Sequence, residues 1–476
     1  MKNSQRLKLV SLAVAAALGL SACNDGGDTS TSASSDTTTS GVITGFGSVY
    51  VNGVEFFTDN ATISIDGTPM DESALKVGMV VTLEGSVNPD GTGQALAIRF
   101  ADEVDGEVLA NNVAVDGTLS IMGQTVHIDG DTVFESSDPN QLTPADIQVG
   151  NIVEVSGFSS GDGNIYATRI EVKKAQRDPG DELTVKGVIA NLDTSAQTFQ
   201  IGQQTIDYSN ANLDGLTAPQ NDLFVEVKSI DGFDANGVLL ASEIELEDDG
   251  DKRMELPEGE ELEIAGAITK IVDAAKGLVE INGQPVQLDG AELEGLALAD
   301  LATGLKIKVE GRVNAEGILV AEEAKSKPKG ELEMAARVES VDPAAGTVTL
   351  TGGVEVKITN ETLKRDDSEM GEKYFDINDI AQNDWLEVKL YQEADGTWVA
   401  LKMERDDAAA DEPMKIEGSV QLDPSTSTQV QVGPLTLDLS GMSSPAPTMN
   451  DGDKVEMTVT VDASGNLMVQ QIEMDD

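Results

Sequence analysis

The stretch Gly78-Met79-Val80-Val81-Thr82-Leu83-Glu84-Gly85 returns as Gly150-Asn151-Ile152-Val153-Glu154-Val155-Ser156-Gly157 and as Gly304-Leu305-Lys306-Ile307-Lys308-Val309-Glu310-Gly311. In the last of these Leu305, Ile307 and Val309 alternate with Lys306, Lys308 and Glu310, the two-residue period of a half-buried strand. The same apolar core, without one or both glycines, stands at 223–227, 385–388 and 454–457. Upstream, a glycine recurs in an opening strand at Gly41, Gly106, Gly187, Gly266 and Gly418, with Ala336 in its place in the fifth copy. A turn glycine follows at Gly53, Gly123, Gly202, Gly283, Gly352 and Gly433. Asn52-Gly53 and Asn282-Gly283 favour positive φ at both positions of a tight hairpin.

Downstream, a turn such as Asp90-Gly91, Asp162-Gly163 or Asp395-Gly396 leads into a closing strand with Ala95-x-x-Ile98 and its counterparts at 167–170, 241–244, 321–324, 400–403 and 469–472. Three residues of separation put the two ends on opposite faces, so either a bulge intervenes or both faces are covered. Between the third and fourth strands lie short helix-compatible stretches: Thr143-Pro144-Ala145-Asp146-Ile147, where Thr can cap and Pro can open the helix, 296–301 and 377–380. Five strands with a helical insert after the third predict an all-β fold, a tandem array of about six small barrels of OB-like type, with an SH3-like barrel as the alternative. The boundaries fall at 41–103, 104–173, 182–248, 262–326, 331–405 and 414–474. The joins at 174–182 and 245–262 are polar, which predicts modules that unfold nearly independently.

The first copy, Gly45-Phe46-Gly47-Ser48-Val49-Tyr50-Val51-Asn52-Gly53-Val54-Glu55-Phe56 followed by Leu75-Lys76-Val77-Gly78-Met79-Val80-Val81, resembles the repeat of an exported bacterial lipoprotein family, domain of unknown function 5666. The likeness is close over 41–100, clear over 104–173 and in register through 474, although later copies lack Gly-Phe-Gly. The resemblance implies a fold and a location; it brings no catalytic residues.

At the N-terminus Lys2, Arg6 and Lys8 precede an apolar run at 9–20, the length of a signal h-region and short of the roughly 18 residues a spanning helix needs. Leu20-Ser21-Ala22-Cys23 resembles the lipobox of bacterial lipoproteins, which implies that 1–22 are a signal peptide cut before Cys23 and that Cys23 becomes the acylated lipid anchor. Ordinary signal cleavage after Ala22 is the alternative. Asn24 rather than Asp follows the cysteine, so the outer membrane is the expected location. Residues 24–40 hold ten Ser or Thr among seventeen, which predicts that 23–40 form a disordered tether.

Composition excludes several function classes. The 31 Lys and Arg against 85 Asp and Glu give a net charge of −54, and loss of the three basic residues with the signal takes it to −57. Nucleic acid is therefore no partner, since such binding rests on cationic side chains. One Cys permits no internal disulfide or multi-cysteine zinc site, and one His leaves little for acid–base chemistry. His127 sits between core residues Val126 and Ile128 and is expected to face solvent. Gly45-Phe46-Gly47 lacks the helix and Lys-Ser/Thr of a phosphate cradle. An EF-hand alignment on Gly250 puts Glu245, Glu247 and Asp249 at ligand places but Leu256 where a bidentate Glu is required. No catalytic, metal or cofactor-binding residue is assigned and no enzyme is expected. Trp398 is read as core, opposite Leu390, and Trp385 as the candidate exposed contact. A porin is set aside because 4% aromatic content cannot furnish two interfacial girdles.

The reading is a non-enzymatic acidic interaction array, tethered to the membrane by its N-terminal lipid, with an envelope protein or a polysaccharide as partner and diffuse divalent cations at its surface. The alternative is a binding module for a polysaccharide, small ligand or divalent ion. Replacing Cys23 with Ser is expected to move the chain into the soluble fraction and to remove a fatty-acid mass increment from its N-terminus; fractionation and mass spectrometry check it, and an unchanged membrane partition contradicts it.

Overall fold

The computed structural model describes residues 35–138, 140–247, 254, 256–422 and 428–474. In the first barrel the opening strand Ser35–Phe46 pairs antiparallel with Val49–Val51, and that strand with Val54–Phe57. Val54–Phe57 runs parallel to the closing strand Thr92–Phe100, which pairs antiparallel with Val80–Val87 and so returns to the opening strand. The parallel pairing of third and closing strands recurs at Gln124–His127, Gln204–Asp207, Gln284–Gln287, Val354–Lys357 and Leu435–Asp438. That pairing gives the five-strand closed barrel of OB connectivity and sets the SH3-like alternative aside. Single 3-10 turns stand where helical inserts were expected, at Pro144–Asp146, Leu298–Asp300 and Ile377–Asp379, with Thr143 and Asp146 forming a capping box around Pro144.

Each sequence landmark has a contact that requires it. Asn52 and Gly53 have φ of 53° and 89°, and Asn282 and Gly283 have 50° and 78°, as a tight hairpin demands. The opening glycine makes room for the residue just before the turn glycine. A Cβ on Gly41 would lie 2.0 Å from Asn52 Oδ1, one on Gly106 2.2 Å from Met122 Cγ, and one on Gly187 2.4 Å from Ile201 Cγ2. Asn52 uses that space to donate from Nδ2 to Thr39 Oγ1 and to the Ser40 carbonyl. Ahead of the fourth strand, φ is positive at Gly78, Gly150, Asp222, Gly304, Asn383 and Gly452. These six donate backbone N–H groups to Ile43, Val108, Ile189, Ile268, Val338 and Val420. Asp and Asn tolerate the left-handed region better than most residues, which is how copies three and five dispense with glycine.

The three-residue puzzle of the closing strand resolves as a bulge. Glu84 and Gly85 face Ala97 and Ala95, leaving Leu96 as the extra residue, and Thr168, Glu322, Leu401 and Gln470 hold the same place elsewhere. Ala95 and Ile98 are thereby both wholly buried. A Cβ on Gly85, Gly157 or Gly311 would strike the carbonyl oxygen of Gln94, Tyr166 or Val320 at 2.3, 2.5 or 2.1 Å, so these glycines belong to the bulge.

The barrels are joined through their opening strands. The first half of each opening strand pairs with the fourth strand on one side, while the second strand covers only its later half on the other. A short backbone edge is left free. In every module that edge pairs with the same edge of another: Thr38–Ser40 runs parallel to 262–264, 104–105 antiparallel to 184–185, and 332–335 antiparallel to 415–418. Modules 1 and 4, 2 and 3, and 5 and 6 are thus mated. The 2–3 and 5–6 pairs also share continuous cores.

Two expectations are corrected here. Residues 35–40, assigned to the tether, are strand: Thr38, Thr39 and Ser40 are buried, and β-branched threonines suit a paired strand as well as their polarity suits a tether. Residues 1–22, Cys23 and 24–34 lie outside the described residues. In place of joins without inter-module interfaces the structure has mated pairs, and the pairs themselves touch. Val80 of module 1, Phe158 of module 2 and Ala267 of module 4 form one buried cluster, with a Cβ on Gly266 only 2.5 Å from the Phe158 ring. Lys306 of module 4 and Lys389 of module 5 converge on Asp131 of module 2 at 2.8 and 3.0 Å. Burial works to raise the Asp131 pKa, but the two ammonium groups outweigh it and hold the carboxyl far below its usual range.

Phe158→Ala is expected to cost about 3–5 kcal/mol and to lower the thermal transition of modules 1, 2 and 4 together, read by calorimetry and by fragment-resolved hydrogen exchange. A loss confined to module 2 contradicts the junction.

Candidate functional site

A cleft of ≈ 810 Å³ opens between module 1, the join at 101–105, module 3 and the start of module 4. Nine carboxylates line it against three cations, Arg99, Lys186 and Lys228. The strand period places them. In Leu183–Val188, Leu183 and Val185 face the core and Lys186 faces out; in Phe224–Ser229, Val225 and Val227 face in and Glu226 and Lys228 face out. Lys186 faces Glu226 across one ladder, an opposite-charge pair, while Glu226 faces the like-charged Glu245 across the next, where Lys228 bridges the two carboxylates.

Lys186 Nζ lies 3.2 Å from Glu226, 3.3 Å from Asp66 and 3.6 Å from Asp102, while Lys228 Nζ lies 2.7 Å from Glu226 and 3.3 Å from Glu245. Burial opposes the charge on Lys186, yet Asp102, Glu226 and Asp66 outweigh it and raise its pKa. Burial raises Asp102 well above the carboxylate range in spite of Lys186. Asp66, Glu154 and Asp105 push Asp102 in the same direction, and Lys186, drawn the other way, is shared between Asp102, Glu226 and Asp66. Glu226 is held low, since Lys186 and Lys228 overcome its desolvation. Carboxylate oxygens of Glu226, Glu245 and Glu247 lie within 4.8 Å of one another, a grouping open to a hard cation, although Lys228 already bridges two of them.

The residues singled out from sequence fall elsewhere. Cys23 lies outside the described residues, as do 248–253 and 255 of the calcium-like loop. Trp385 is not an exposed contact: it is 6% exposed, facing away from the barrel core but covered by its cross-strand partner Arg337, whose guanidinium stands 5.6 Å from the ring. Arg337 is held there by the Asn383, Ala408 and Ala409 carbonyls. Trp398 packs half-buried on the module 5 and 6 core, opposite Gln392 rather than Leu390 because the hairpin turns about Asp395; the bulge at Leu401 lies beyond this pair. His127 points off the core, stacks on Tyr166 at 4.9 Å and meets Asn164 Oδ1 at 3.2 Å. Gly45-Phe46-Gly47 receives module 5: Tyr374 sets its edge on Phe46, and Lys373 and Lys364 stand over Phe46 and Tyr50 at 4.3 and 4.1 Å. On this face the first copy packs against module 5.

A family profile described as "Domain of unknown function (DUF5666)" matches residues 39–99, 103–171, 179–245, 265–325 and 336–404, more than half of the chain. The barrel at 414–474 follows with the same ladder. Comparison with curated proteins gives no match. Among solved structures, one titled "drosophila Unr CSD456" shows 12% identity over 44% of this chain and 96% of that chain, with a TM-score of 0.17, too low to carry any argument.

Asp105 supplies the pH test. Burial, then the neighbouring Glu154, raises its pKa to about 6, with Asp66 and Asp181 adding to the shift and Lys173 opposing it. A carboxyl raised on folding binds protons more tightly in the folded state, so its presence costs stability as pH rises from about 4 through 6. Asp105→Asn is expected to match wild type near pH 4 and to exceed it by about 1–2 kcal/mol at pH 7. A pH-independent difference in denaturant midpoints contradicts the assignment.

Proposed function

This chain belongs to the DUF5666 family, a repeat whose description names no activity, and from that premise we propose that it is a non-enzymatic interaction protein of the bacterial cell envelope, anchored in the outer membrane through acylated Cys23 and presenting an acidic body to cationic partners. The observation that carries this reading is the mated opening strands, which hold the charged cleft between modules in fixed geometry. Repetition here supplies a continuous acidic surface, where independent beads would supply avidity. The sole imidazole is occupied by Tyr166 and Asn164, which supports a role without acid–base chemistry.

A second reading, binding of divalent cations, has the Glu226, Glu245 and Glu247 grouping in its favour. Lys228 competes for that place, so the association is expected to be weak and to draw no distinction between ions.

Decalysine titrated into the chain is expected to bind with an affinity that falls steeply with salt, weakened several-fold by combined Glu245→Gln and Glu247→Gln. Calcium and magnesium at matched ionic strength should raise the melting temperature equally. Polycation binding indifferent to the cleft variants contradicts the interaction reading; saturable micromolar calcium binding with magnesium inert replaces it with the ion-binding one.

A further inference from the structure

Where modules 1, 2, 4 and 5 meet, two contiguous cavities of ≈ 90 and ≈ 40 Å³ share Val42, Thr44, Ala265, Lys327, Pro328 and Glu361 as walls. Lysines 306, 308, 325, 327 and 402 line them against two carboxylates, Asp131 and Glu361. In a chain with a net charge of −54, lysines outnumber carboxylates on these walls.

Four of the five lysines are engaged. Lys306 is bound to Asp129 and Asp131, Lys308 to Glu263 and the Asn52 carbonyl, Lys325 to Glu294 and Lys402 to Glu404. Lys327 differs: among the described residues its ammonium has no hydrogen-bond or ion partner, and neither has the hydroxyl of Tyr391 on the same wall. The Lys327 side chain is well exposed by surface area, yet burial within the mass of the protein, and then Lys306, depress its pKa. Both facts hold together because the crevice between the modules is partly open: solvent reaches the ammonium although protein surrounds it on several sides. Burial first, then Glu393 and Glu361, raises the Tyr391 pKa, so its hydroxyl remains a donor. An anion entering the crevice meets an ammonium that holds no other partner among the described residues, in a place where surrounding protein leaves less solvent to screen the pair than at an open surface. The other wall is apolar, with Phe158, Ala265, Leu363 and Val399. The space holds on the order of ten water-sized positions, which limits a ligand to a few heavy atoms.

We propose that this cavity binds a small organic carboxylate, its oxygens meeting the Lys327 ammonium and the Tyr391 hydroxyl and its short apolar chain lying against Val42, Phe158 and Ala265. The site is separate from the acidic cleft and does not depend on the cationic-partner reading.

The probe is butyrate, titrated into the full mature chain by calorimetry at constant ionic strength with chloride as balancing anion. Saturable heat is expected with butyrate and none with butanamide or butylammonium. Lys327→Met should weaken binding at least about tenfold and Tyr391→Phe about three- to tenfold, while Lys327→Arg retains most of it. Without ligand, Lys327→Met should melt no lower than wild type, because it removes an unpartnered charge. Ala265→Leu, which fills the cavity without altering charge, should abolish the heat. The proposal is overturned if butyrate behaves as chloride does, if Lys327→Met binds as wild type does, or if phosphate saturates the site while butyrate is inert.

Discussion

A closed barrel has no edge to share, yet each opening strand here is longer than its own barrel can cover. The hairpin that follows protects only its second half, so two to four residues of backbone would otherwise face water with unpaired N–H and C=O groups. All of the described modules meet this constraint in one way, by laying that half-edge against another module's half-edge. Neighbours in sequence mate antiparallel, while modules 1 and 4, separated by two others, mate parallel. From this pairing follow the shared cores of modules 2–3 and 5–6, the placement of the acidic cleft, and the central junction where Asp131 gathers lysines from two other modules.

Local landmarks were legible in the sequence because each reports a backbone demand. The glycines at 41, 106 and 187 mark where another side chain lies against the strand, and Gly85, Gly157 and Gly311 mark a bulge. Asp222 and Asn383 look like lost glycines yet keep the same left-handed backbone. The mating edges were not legible, because a backbone edge pairs through N–H and C=O groups that every residue carries. Thr37, Thr38 and Thr39 read as tether by composition and as strand by shape, and their partners at 83–85 on one side and, for Thr38 and Thr39, at 262–263 on the other decide between the two. Trp385 was placed correctly on the outer face, but its cover comes from Arg337 and a stretch near residue 408 that periodicity does not reveal.

Charge is sorted by place. Outward strand positions and the cleft carry the acidic excess, while a group of lysines is concentrated at the junction, most of them neutralised one by one by Asp129, Asp131, Glu263 and Glu404. Such pairs make weak net contributions when both partners are present and large losses when one is removed, so they specify which modules meet more than they stabilise the meeting. The same distribution sets the two proposed ligand chemistries apart: cations at the cleft, a small anion at the junction.

Native-state hydrogen exchange over 36–42 and 262–266 tests the mating of half-edges most directly. The account predicts that these amides exchange only as slowly as those of the barrel cores at Val80–Val87 and Lys306–Val313, with one free energy for both segments. Exchange over 36–40 at the rate of an unstructured chain, while the barrel cores stay protected, would contradict it.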